Sequence, residues 1–231
     1  EPDKFDMSVS HHLTDETIHD YATGGLNAAM ETLVACHLTV CSHCRARAGM
    51  ADDVGGGLFD RLEPATPRVS ALDLIARSAQ SVDAAEVEAE RPTADISKPN
   101  SVIGGVPRPL GRLLPAPLEQ LRWRRVAPGI KQYKLDDKHR RDGAFQLLHL
   151  APGAVLSEHS HNDRELTYLV QGSYRDSIGR FQVGDIADLD GSIEHQPVVD
   201  SDVPCIALIA TQSPVHYSGM IGKIMQPFVG I

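Results

Sequence analysis

Cys36, Cys41 and Cys44 crowd into a short stretch, with His37 among them. The run His37-Leu-Thr-Val-Cys41-Ser-His-Cys44 reads H-x3-C-x2-C. On helical backbone, side chains three and four residues apart share a face, so one imidazole and two thiols can converge. Imidazole with thiolate is a zinc donor set, and a closed structural site needs four such ligands arranged as a tetrahedron. His12 suits the fourth place, because it precedes the first expected helix where the chain can fold back over the second. His11 is its neighbour and His19 a more distant option, and spacing does not separate them. Cys36 and His43 read as packing and surface residues, and Cys205, in an apolar run, as a small buried hydrophobe.

A second constellation lies far along the chain. Residues 153–172 spell G-x5-H-x-H-x3-E-x6-G, with His159, His161 and Glu165 as the polar members. Side chains alternate along a strand, so positions 159, 161 and 165 share a parity and can face one interior. His195, after Gly184-Asp185, is the expected fourth ligand from another strand. Imidazoles with a single carboxylate suit zinc, manganese, iron or nickel. His139, His149 and His216 read as surface or core residues.

The elements that must position these groups change character along the chain. Thr14 or Asp15 can cap a helix through about Thr23, closed by Gly24 and Gly25, and Asn27 can cap a second that runs into His37 and Val40. A third is expected through Ala46 and Met50 until Gly55-Gly56-Gly57, and a fourth, amphipathic one over residues 70–90 with Leu72, Ile75, Ala79 and Val82 on its stripe. Prolines then recur from Pro92 to Pro117, a linker composition. Beyond it come short apolar runs separated by glycines, among them 123–126, 129–134, 146–150, 166–170, 181–183 and 205–210, the pattern of a sandwich or small barrel. The expected organisation is a helical module over 7–91, a linker over 92–105 and an antiparallel β-barrel over 106–231.

Charge divides the same way. The chain has 231 residues and a net charge of −9, all of it carried by residues 1–91, which hold 7 basic against 16 acidic side chains. Such a surface repels nucleic acid and suits a basic protein partner. No apolar run approaches the roughly 20 residues a membrane-spanning helix needs, so a cytoplasmic protein is expected. Met7 reads as a natural start, with Glu1–Asp6 ahead of it as an added segment.

Residues 153–172 resemble the first cupin motif at every defining position. The second motif fits less well: Gly184 and His195 align with its first glycine and its histidine, but Asp190, Ser192 and Val199 stand where the pattern has proline, glycine and asparagine. The N-terminal stretch, with His11-His12 and then His37-x3-Cys41-x2-Cys44-Arg-Ala-Arg-Ala-Gly49, resembles the zinc-binding anti-sigma domain. In this order the two resemble the ChrR-type anti-sigma factors. The resemblance implies a helical bundle with structural zinc on His12, His37, Cys41 and Cys44. It also implies a jelly-roll cupin with a divalent metal on His159, His161, Glu165 and His195. It further implies sequestration of an extracytoplasmic-function sigma factor, release under singlet-oxygen or peroxide stress, and no enzymatic turnover. The competing reading is a cupin metalloenzyme, a dioxygenase or isomerase, with the helices as an accessory; a third places the redox signal at the zinc thiolates themselves.

Overall fold

A computed structural model describes residues 9–65, 68–81, 102–103, 105–135, 143–157, 164–190 and 194–212. The chain divides into two compact units, residues 1–53 with 100–231, and residues 54–99.

In the first unit, α1 (Asp15–Thr23) starts at Thr14, whose side chain accepts from the Thr17 N–H, and stops at Gly24 in the left-handed conformation. Helix α2 (Ala28–Val40) is capped by Asn27, which accepts from the Met30 N–H at 2.9 Å. Cys41 interrupts the helical path at φ −98°, ψ 104°, and α3 (Ser42–Phe59) begins after it.

The strands follow a short hairpin, β1 (Val102–Ile103) with β2 (Val106–Pro107), and a helical turn, α5 (Arg108–Gly111). Two further strands, β3 (Arg124–Ala127) and β4 (Ile130–Lys134), lead to β5 (Phe145–Leu150). Then come β6 (Glu165–Gln171), β7 (Ser173–Arg175), β8 (Arg180–Gln182), β9 (Ile186–Leu189), β10 (Val198–Val199) and β11 (Cys205–Thr211). They form a six-stranded antiparallel sheet in the order β3-β4-β5-β11-β6-β9 and a three-stranded one in the order β10-β7-β8. The chain passes between sheets at glycines: Gly172 (φ 72°) joins β6 to β7, and Gly184 (φ 92°) joins β8 to β9. At Gly172 a Cβ would stand 2.8 Å from the Pro204 carbonyl oxygen and 2.9 Å from Cys205 Cα, so any other residue would collide there.

Strand parity sorts the core into two layers. Leu148, Leu150, Leu169, Ala187, Cys205 and Ala207 of the larger sheet meet Tyr174, Phe181 and Val199 of the smaller one. The opposite face of the larger sheet, with Leu147, Leu166, Tyr168, Ile206 and Leu208, packs in one cluster with Met30, Leu33, Val34 and Cys36 of α2. Helix α2 is therefore seated on the outside of the jelly-roll. Polar ties flank that core: Arg164 bonds Asp20 (2.7 Å) and Glu16 (2.6 Å), and the Thr14 N–H and hydroxyl donate to Asp188.

The second unit holds the end of α3 and α4 (Ala71–Ser81). The helix α3 does not stop at its three glycines as expected but continues to Phe59, and the Asp60 N–H still reaches Gly56 O at 2.9 Å. Glycine lowers helix propensity by about 1 kcal/mol against alanine without forbidding the helical bond. Val54, Leu58, Phe59, Leu62, Leu72, Leu74 and Ile75 are 56–77% exposed. The expected stripe position Val82 and the rest of that helix to residue 90 lie outside the described residues.

The strand expectations over 123–134, 146–150, 166–170, 181–183 and 205–210 each meet an observed strand within a residue or two. The short strands β7, β9 and β10 went unforeseen, because a run of two to four residues has too few alternations to register.

Candidate metal centres

Helix α2 presents His37 from its last full turn, fully buried. Cys41 ends α2, its N–H donating to His37 O at 2.9 Å. The same residue opens α3: its Sγ accepts from the Cys44 N–H at 3.4 Å, as an N-cap side chain would. The two thiols therefore converge across a break between helices rather than along one helical face, which departs from the single-helix geometry expected. His12 arrives from the segment before α1, with Nδ1 3.3 Å from Cys41 Sγ. One ligand atom from each of His12, His37, Cys41 and Cys44 can be chosen so that all lie within 4.8 Å of one another. Zinc bonds of about 2.0–2.3 Å imply tetrahedral edges of about 3.5 Å, so closure requires only small side-chain adjustments.

His37 is prepared for a cation. Its Nδ1 donates to the Gly184 carbonyl at 3.0 Å, which fixes the tautomer, and its buried Nε2 has no hydrogen-bond partner among the described residues. Burial pulls the His37 pKa down to about 4 and pushes the Cys44 thiol up to about 11, so without metal both are neutral at pH 7. A cation supplies the charge that makes the thiolates favourable. The residues fit zinc by donor type, proximity and the orphaned nitrogen.

His11 is engaged elsewhere. Its ring stacks on Phe181 at 3.9 Å, and its N–H donates to Asp185 Oδ1 at 3.0 Å. His19 lies exposed on α1 and His43 beside the His12 ring at 4.7 Å.

In the jelly-roll, His159 and His161 lie outside the described residues. Glu165 opens β6 with its side chain on the interior parity, 5% exposed, and accepts from the Thr167 hydroxyl at 3.1 Å. Burial raises its pKa from 4.5 to about 7, against the opposing pull of His195. Buried His195 bonds through Nδ1 to Asp176 Oδ2 at 3.0 Å. Burial works against ionisation of Asp176, but hydrogen bonds from His195 and from the Ile178 and Gly179 N–H groups outweigh it and hold this acid below its usual range. A carboxylate bonded to Nδ1 of a buried histidine fixes the orientation and tautomer of the ring. Asp176 was missed in the sequence, where nothing in its spacing ties it to a histidine 19 residues on.

The architecture is thus that of a cupin-like jelly-roll carrying a helical His2Cys2 cluster on its outer face. Residues 115–214 match the family described as the ChrR Cupin-like domain. Over 97% of its length the chain is 33% identical to the whole of the anti-sigma-E factor ChrR of Cereibacter sphaeroides, and it belongs to that family. It also resembles a chain in the crystal structure of Rhodobacter sphaeroides SigE in complex with the anti-sigma ChrR, with a TM-score of 0.70 and 32% identity. That match covers 88% of this chain and 99% of the other. Among the described residues no helix is long and apolar enough to cross a membrane.

Proposed function

We propose that this chain is an anti-sigma factor that holds an extracytoplasmic-function sigma factor inactive in the cytoplasm and releases it under singlet-oxygen or peroxide stress. The observation that carries the reading is the pairing of full-length kinship to ChrR with a second unit whose apolar side chains are open to solvent. Exposed Leu58, Phe59, Leu72, Leu74 and Ile75 are too many for scattered surface apolars and suit a protein partner. Apolar helical faces of this kind dock in grooves. The excess of acid in residues 1–91 favours a basic partner over nucleic acid.

In this reading His12, His37, Cys41 and Cys44 hold a structural zinc, whose charge ties the start of α1 to the α2–α3 junction. His159, His161, Glu165 and His195 hold a divalent transition metal in the cupin, which acts as a sensor without turnover. Along the sequence the proposed modules are residues 7–91, which carry the helices, and 106–231, which carry the jelly-roll, with α1 and α2 folded into the same compact unit as the strands.

Co-expression with candidate sigma factors tests this. The wild-type chain is expected to co-purify with an extracytoplasmic-function sigma factor, Cys41→Ser and His37→Ala to lose it, and His159→Ala and Glu165→Ala to retain it but release it poorly under stress. Sigma affinity unchanged in Cys41→Ser would remove the role of the cluster, and full induction in the cupin variants would remove the sensing role.

A further inference from the structure

We infer that the turn between β8 and β9 serves as the outer shell of the helical metal cluster, with Asp185 as the positioning residue for His12, through the segment just ahead of it, and the Gly184 carbonyl as that for His37. The inference rests on the metal binding proposed above and names which barrel residues shape that site.

Asp185 is fully buried, and its carboxylate is saturated with donors. Oδ1 accepts from the N–H groups of Ser10 (2.7 Å) and His11 (3.0 Å). Oδ2 accepts from the Gln182 N–H (2.9 Å) and the Ser10 hydroxyl (3.1 Å), with His11 Nδ1 at 3.4 Å. Two backbone N–H groups immediately ahead of His12 are thereby fastened to a rigid corner of the barrel. The preceding residue of the same turn, Gly184, presents its carbonyl to His37 Nδ1 at 3.0 Å. One two-residue corner so orients both imidazoles, from positions about 150 and 170 residues away in sequence. His11 adds a brace, stacked on Phe181 and close enough to Gly179 that a Cβ there would stand 3.0 Å from its Nε2. Groups that orient metal-binding histidines from behind raise affinity substantially, and their removal typically costs 10–100-fold.

Asp185→Asn is the sharp test. Whichever way the amide turns, its NH2 meets backbone N–H donors, at Ser10 and His11 or at Gln182. In the full-length chain, zinc affinity measured by competition with a chromophoric chelator should fall about 10–100-fold. The visible ligand-field bands of the cobalt-substituted cluster should shift, which general loosening of the fold would not cause. Arg164→Ala, which cuts a different tie between α1 and the sheet, should leave affinity and spectrum as in the wild type. If Asp185→Asn does not fold, His11→Ala removes the brace alone and should still lower affinity several-fold with altered bands. Wild-type affinity and wild-type cobalt bands in Asp185→Asn, or in His11→Ala should that be the variant available, overturn the inference. A wild-type chain that holds no zinc in the same competition would sink the metal reading itself, and this inference with it.

Discussion

Single residues decide the chemistry, and Glu165 shows how. A carboxyl whose pKa rises from 4.5 unfolded to about 7 folded binds its proton more tightly in the native state. Stability contributed by the neutral form is therefore present below pH 4.5 and is lost as pH rises toward 7. We predict that chelator-treated wild-type chain loses melting temperature across that window, that Glu165→Gln flattens the loss, and that a divalent metal restores stability only to the wild type. An equally steep loss in Glu165→Gln would assign the pH dependence to other groups. The residue scale is also where the sequence was most and least legible. His37, Cys41 and Cys44 announced themselves because all three lie within one short stretch. The choice between His11 and His12 could not be read, because it is made by Asp185 and Phe181, over 160 residues away, which capture one ring and leave the other to the thiols. Gly184 was read only as the first glycine of the second motif and Asp185 only as its neighbour ahead of His195; their bonds to His37 and to the segment before α1 have no signature in spacing.

Among the elements, the caps were legible because Thr14, Asn27 and Gly24 act on their own neighbours. The glycine triplet of α3 misled, since a local propensity of about 1 kcal/mol per residue can be overridden by helical bonding from both sides. Each of Gly55, Gly56 and Gly57 has open space where a Cβ would stand. Replacing all three by alanine should therefore raise helicity in circular dichroism and stabilise that stretch by about 0.5–1 kcal/mol per site. No gain in helicity would mean that the stretch is not helical in the free chain. On the same unit, Phe59→Asp or Ile75→Asp should leave the melting temperature within a degree or two, since both side chains are solvated, while lowering sigma affinity at least tenfold. Undiminished binding by both variants would place the partner elsewhere.

At the scale of the whole chain, the jelly-roll could be anticipated from glycine-punctuated apolar runs, but not the seating of α2 upon it. Leu33 and Val34 repeat with helical spacing whether they face other helices or a sheet, so the sequence could not name what covers them. The structure packs both, fully buried, in one cluster with Leu166, Tyr168 and Leu208. Leu33→Ala should then cost about 2–5 kcal/mol and lower a single cooperative transition of helices and strands together. Two separate transitions in calorimetry, only the first shifted, would mean that the helices melt apart from the sheet.

The shared core constrains how a captive could be let go. Prising α2 away would leave Leu166, Tyr168 and Leu208 wet and His37 without its carbonyl, a large sacrifice for a signal to drive. A discharge mechanism that keeps α1 and α2 bolted down must act through smaller displacements, such as those of Cys41, the hinge pin between α2 and α3, whose one sulfur sits among the cluster's ligand atoms and holds the first turn of the next helix.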